Sequence, residues 1–139
     1  MIKETEFFWP VRVYYEDTDS GGVVYYANYL KFMERARTEW LRSLGFEQDS
    51  LLQQAGIVFA VRRVMIDFRH PARFNDALLV KSRIGQKRKA SLTFQQQITR
   101  EADEKLLVNG DVQVACVDLE SFRPTAIPEN ILLRIPDVD

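Results

Sequence analysis

The chain has 139 residues, 46% of them hydrophobic and 28% charged, with a formal net charge of −1. That size fits one domain able to bury its own core, in the composition range of globular rather than disordered chains, and the near-zero charge excludes a general nucleic-acid binder. No apolar run nears the roughly 20 residues of a membrane span, and the single cysteine, Cys116, cannot close an internal disulfide, which points to a reducing, cytoplasmic setting.

The start, MIKETEFFWP, carries acids and lacks the apolar stretch of a secretory signal. Phe7–Tyr15 is rich in aromatic and β-branched residues and predicts a first strand, with Pro10 near its beginning. A loop, Glu16–Gly22, follows. From Asn28, apolar residues recur at Tyr29, Phe32, Met33, Ala36, Trp40 and Leu44, the spacing of one helical stripe. Lys31, Glu34, Arg35, Thr38, Glu39, Arg42 and Ser43 take the opposite side, with Arg35 placed to pair with Glu39 and Gly45 as the stop. This helix, about 25 Å long, is the only long one the pattern shows.

A short helix is expected over Asp49–Ala55, capped by Asp49 or Ser50 and ended by Gly56. The period then changes to two, giving a strand from Ile57 to Phe68 with a slip near Arg62–Arg63, broken by His70-Pro71-Ala72. Ala77–Ile84 and Ser91–Thr99 read as strands joined by the basic turn Gly85–Ala90. Lys105–Leu119 reads as a long strand in which Asn109-Gly110 is either a bulge or a tight turn, the bulge favoured because the segment before it is too short for a strand of its own. The tail from Phe122, with Pro124, Pro128 and Pro136, reads as a cover with one helical turn at Pro128–Leu132. Strands joined by tight turns pair antiparallel. The class is therefore α+β, a sheet curled around the long helix. Apolar residues on the sheet's other face suggest that another copy covers it.

The loop EDTDSGG admits several chemistries. Asp19-Ser20-Gly21-Gly22 matches the string around a protease serine, but that reaction needs a histidine base, and the sole histidine, His70, precedes a proline. Asp17, Asp19 and Gly22 fall on positions one, three and six of a calcium loop, yet positions five and twelve are Gly21 and Asn28, so two oxygen ligands are missing. A third reading uses the helix. A carboxylate just ahead of a helix N-terminus sits near unpaired N–H groups that could hold an oxyanion, the pairing acyl hydrolysis requires. The plainer reading is that Asp17 and Asp19 cap turns.

The segment VRVYYEDTDSGGVVYYANYLKFMERARTEWLRSLG resembles the hotdog-fold acyl-CoA thioesterases of the 4-hydroxybenzoyl-CoA thioesterase family, in its YbgC-like, Tol-Pal-associated branch. The likeness continues through IDFRHPARFNDALLV to VACVD. It implies one hotdog domain over residues 1–139, with an antiparallel five- or six-stranded sheet wrapped around the helix. It also implies homo-oligomers, dimers with a continuous sheet or homotetramers, and active sites at the dimer interface. The implied activity is hydrolysis of acyl-CoA or acyl carrier protein thioesters to acid and thiol, with no cofactor, metal or nucleic acid.

In that family the catalytic carboxylate falls on Asp19, as nucleophile or general base, and Asp17 supports the loop. The helix-start N–H aimed at the thioester carbonyl falls on Tyr26. The YbgC-like branch usually has His there, whereas the 4-hydroxybenzoyl-CoA enzyme resembles this chain in having Tyr. A backbone donor survives the change; a histidine side-chain role does not carry over. The basic turn would place Arg88 and Lys89 on CoA phosphates, and Tyr25, Tyr26 and Phe59 would suit an aryl or fatty acyl group. The alternative is a non-catalytic module of the same fold that binds acyl thioesters or a protein. A hydratase would need a histidine at the helix start. Glu34 and Glu39 read as surface charge, Cys116 as an inert core thiol, and one of Arg62 and Arg63 as facing a partner subunit.

Overall fold

The computed structural model describes residues 5–138. Five strands form one antiparallel sheet: β1 (Glu6–Arg12), β2 (Ile57–Phe68), β3 (Ala77–Lys87), β4 (Ser91–Arg100) and β5 (Leu106–Asp118), in the order β1-β3-β4-β5-β2. The helix α1 (Tyr26–Ser43) lies in the concave face, α2 (Gln48–Ala55) links it to β2, and α3 (Glu129–Arg134) closes the far end. The expected α+β arrangement is the observed one.

The core forms where the helical stripe meets the inward positions of the strands. Tyr29, Phe32, Met33, Ala36, Trp40 and Leu41 of α1 are buried against Leu78, Val80, Leu92, Phe94, Ile98, Val112 and Val114. The helix ends at Leu44 because Gly45 takes φ 95°, and α2 ends because Gly56 takes φ 66°, both left-handed geometries that glycine adopts without strain.

Several expectations need correction. The first strand stops at Arg12, because Val13–Asp17 leaves the sheet and folds into a 3-10 turn at Tyr15–Asp17. Helix α1 starts two residues before the periodic stripe, and α2 starts at Gln48 with Glu47 as N-cap, so Asp49 and Ser50 lie inside it. Glu39 pairs with Arg42 rather than Arg35. Strand β3 continues through a register shift at Ile84/Gln86 to Lys87, leaving a shorter turn than Gly85–Ala90.

Asn109-Gly110 is not a bulge. Both neighbours pair with it in continuous register, Ile66 and Asp67 from β2, Gln96 and Gln97 from β4. Gly110 is needed for close approach instead: a Cβ there would stand 2.9 Å from the Met65 carbonyl oxygen. The irregularity in β5 falls at Leu107, which has no partner between Ile98↔Val108 and Thr99↔Leu106. The slip expected at Arg62–Arg63 is present, between Val61 and Arg63.

The sheet's outer face is mainly polar, with Phe8 and Met65 as exposed apolar side chains on it. Its central cleft, about 390 Å³, is lined by Glu6, Lys81, Arg83, Gln95, Gln97, Asn109 and Asp111. Exposed apolar side chains collect instead along β2, at Val61, Val64, Met65 and Phe68. That strand lies at the edge of the sheet, with β5 on one side only.

Candidate active site

The loop before α1 is built by its own carboxylates. Asp17 Oδ2 accepts the Tyr14 N–H at 2.8 Å, and its carbonyl accepts both the Tyr25 N–H and the Asn28 Nδ2 amide at 2.9 Å. Asp17 thus ties the loop to the helix start, the supporting role the family likeness implies. Asp19 occupies the turn beyond. Its Oδ1 accepts the Gly21 N–H at 2.9 Å, its carbonyl the Gly22 N–H at 3.0 Å, and its own N–H donates to the Val23 carbonyl at 2.9 Å. Gly22, at φ 79°, completes the reversal. The turn-capping reading of Asp19 therefore describes one of its oxygens. The side chain is exposed, and among the described residues Oδ2 accepts no hydrogen bond.

The loop is also pinned from behind. Val24 donates to the Ala72 carbonyl and Ala72 donates to the buried Tyr29 hydroxyl, each at 2.9 Å. Burial raises the Tyr29 pKa, and the Ala72 N–H only partly offsets it, so the phenol stays neutral. Tyr26 is the first residue of α1, where N–H groups have no intrahelical acceptor. Among the described residues no hydrogen bond is made by the Tyr26 or Ala27 N–H. Two free donors at the positive end of an 18-residue helix can stabilise a developing oxyanion.

Aromatic rings surround this tip. Tyr25 and Tyr26 have ring centroids 4.9 Å apart, Tyr26 meets Phe68 edge-on at 6.0 Å, and Phe68 reaches Tyr29 at 5.8 Å. The Tyr26 hydroxyl raises the pKa of Tyr25 beside it. Tyr25 and Tyr26 are about half exposed, so both remain available to a ligand.

Tyr25 and Tyr26 adjoin each other at the helix start, and the loop that carries Asp19 is tied to them through the Tyr25 N–H on the Asp17 carbonyl. Arg88 and Lys89 do not join them within one chain. They are exposed in the turn after β3, whereas the loop packs beside Ala72–Asp76 before β3. The eleven residues of β3 separate the two ends by about 35 Å. Phe59 likewise lies away from the tip, in a cavity of about 90 Å³ under the second half of α1.

Two residues escaped the sequence reading. Phe68 closes the aromatic cluster, and its signal was its place as the last inward position of β2. Arg37 is buried on α1; it stands four residues after Met33 and before Leu41, a charge on the apolar stripe. Among the described residues, no group of three or more His, Cys, Asp or Glu is placed to hold a metal, and no helix is long and apolar enough to cross a membrane.

A sheet wrapped around one long helix, with a carboxylate turn leading into the helix tip, defines the hotdog class of thioester-handling proteins. The chain belongs to the thioesterase-like superfamily, whose profile matches residues 13–135. An acyl-CoA thioesterase YbgC of Haemophilus influenzae is 45% identical over 125 residues, 90% of each chain. An acyl-CoA thioester hydrolase YbgC of Escherichia coli is 46% identical over 131 residues, 94% of this chain and 96% of that one. Among solved structures, a 1,4-dihydroxy-2-naphthoyl-CoA thioesterase from Synechocystis superposes with a TM-score of 0.88 at 25% identity, covering 94% of this chain and 95% of its own.

Proposed function

We propose that this chain hydrolyses acyl-CoA thioesters to free acid and thiol, with Asp19 as the reacting carboxylate and the helix tip at Tyr26 as the oxyanion site. The observation that carries this is the pair of unclaimed N–H groups at the start of α1, held beside the Asp19 turn by Asp17 and Asn28. The thioester carbonyl oxygen points at those N–H groups. Asp19 then either takes a proton from the attacking water or attacks the carbon itself. In both routes the tetrahedral intermediate collapses by breaking the C–S bond, and the departing thiolate takes up a proton. The nucleophilic route adds a mixed anhydride that water opens.

The working unit is a homodimer joined along β2, and this supports the assignment of the basic turn. Edge strands with exposed apolar residues need a partner. Antiparallel pairing of β2 with its copy sets the Phe68 end of one chain against the Ile57 end of the other. Ile57 lies beside Asp118 and so near the β3–β4 turn, because Ala115 pairs with Ser91. The copy's Arg88 and Lys89 would then approach the Asp19 end, where cations can hold CoA phosphates. An acyl carrier protein, which presents a phosphopantetheine thioester and acidic surface, is a second substrate form for the same rim.

The test is thiol release from acyl-CoA by the wild type and Asp19→Asn. Loss of a catalytic carboxylate lowers kcat by about 10²–10⁴-fold, with acyl-CoA binding retained. Activity within a few-fold of wild type removes Asp19 from the mechanism. A wild type that binds acyl-CoA and releases no thiol would instead be a binding module.

A further inference from the structure

Helix α1 carries one charge on its buried side. Arg37 is 8% exposed, its Nη1 donates to Gln96 Oε1 at 3.0 Å, and its guanidinium stands 6.0 Å from the Phe94 ring centroid. The Gln96 amide nitrogen is committed elsewhere, to the Met33 carbonyl at 3.0 Å and Ser82 Oγ at 2.9 Å. Among the described residues no carboxylate comes within ion-pair distance of Arg37. Most of the guanidinium's N–H donors thus lack an acceptor. Yet no side-chain nitrogen or oxygen sealed from solvent lacks a hydrogen bond among the described residues. The spare donors therefore open onto the spaces beside α1. Burial pulls the Arg37 pKa down to about 10, and the Glu34 carboxylate, which acts the other way without an ion pair, offsets only part of that.

One of those spaces lies a helical turn beyond the tip, where Leu30, four residues after Tyr26, lines it. A groove of about 280 Å³ runs along the seam of α1 and β2, lined by Leu30, Val61, Val64 and Val112 together with Lys31, Glu34 and Arg37. Arg37, Glu34 and Val61 also border the smaller cavity that Phe59 helps to line. The seam begins where Tyr26 meets Phe68. From Tyr26 to Arg37 the helix rises about 16 Å, and a helical side chain leans back toward the N-terminus. An acyl chain whose carbonyl sits at the helix tip would lie on the valines and leucine and end at the guanidinium.

We propose that this seam is the acyl subsite and that Arg37 reads the far end of the chain, selecting CoA thioesters of medium-chain acids that end in a carboxylate. The proposal rests on the thioesterase reading above and adds the substrate class. A methyl end buried there leaves the cation desolvated and unpaired, whereas a carboxylate makes a charge-assisted, bidentate pair with it.

The test compares octanoyl-CoA with suberyl-CoA, the same chain ending in a carboxylate, and decanoyl-CoA with sebacyl-CoA, by kcat/KM for thiol release. Wild type is expected to favour the carboxylated member by about tenfold or more, since a site built for a polar group discriminates strongly against its absence. Arg37→Met should abolish that preference, read as the kcat/KM ratio between the paired substrates on the same protein. A wild type that prefers the methyl-ended chains overturns the proposal and leaves the thioesterase reading standing; this comparison needs no variant to fold. A ratio unchanged in Arg37→Met, with the dimer falling apart at the same protein concentration, assigns Arg37 to a partner's carboxylate and also overturns it. No thiol from these four substrates, with thiol released from benzoyl-CoA or acetyl-CoA, overturns the proposal alone; no thiol from any of the six sinks the thioesterase reading with it.

Discussion

The buried network under α1 makes a stability prediction that needs no substrate. Gln96 is fully buried and serves three groups: Arg37 Nη1 and, through its own amide nitrogen, the Met33 carbonyl and Ser82 Oγ. Gln96→Leu keeps the volume and removes all three bonds. An unsatisfied buried group costs about 1–3 kcal/mol, more when the partner is charged, and the extra apolar surface of leucine returns roughly 1 kcal/mol. The net expectation is a loss of about 3 kcal/mol. With a urea m-value of about 2 kcal/mol per molar, the unfolding midpoint should fall by about 1.5 M. Fluorescence of Trp9 and Trp40 reports the transition, and both proteins must be compared at one concentration because the chain self-associates in our reading. A midpoint shift under about 0.3 M would mean that water already serves these groups. The picture of a desolvated guanidinium would then be wrong.

Gly110→Ala should destabilise by about 1–3 kcal/mol through overpacking, because the new methyl meets the Met65 carbonyl oxygen at 2.9 Å and backbone cannot swing aside; an unchanged melting temperature would refute the close-approach account. Asp118 is held below its ordinary pKa of 3.8 chiefly by the Ser121 N–H and hydroxyl. A lowered folded-state value means stability present above pH 3.8 and lost as pH falls through the folded value. Ser121→Ala should therefore weaken the protein at pH 5–7 and shrink its loss on acidification, measured as melting temperature against pH.

The sequence made the helix legible because burial on one side of a helix leaves a periodic trace, and Phe32, Met33, Ala36 and Trp40 are buried as that trace predicts. The strands were legible for the same reason, to within a few residues at each end. Asn109-Gly110 misled because that pair commonly marks turns, while here Gly110 answers to a neighbouring strand's carbonyl, a contact no local pattern encodes. The outer face misled because alternation tells which residues share a side, not which side meets solvent. Asp19, Tyr25 and Tyr26 belong to one contiguous stretch, so their closeness needs no long-range pairing. The far location of Arg88 and Lys89 was not, because it depends on strand order across the sheet.

The irregularity at Arg62 connects these points. Side chains along a regular strand alternate between faces, so Val61 and Val64, three apart, would face opposite ways. Both line the groove beside α1 because the register shift between Val61 and Arg63 inserts one extra residue between them. Phe59 and Val61 before the shift, and Val64 and Phe68 after it, therefore all turn toward the helix. The same shift leaves Met65 on the polar side, against Gln113 and Asp111. Without it, either the tip at Tyr26 would lose Phe68 or the inner end at Arg37 would lose Val61. One extra residue in an edge strand thus keeps Val61, Val64 and Phe68 all on the helix side, beside α1 between Tyr26 and Arg37.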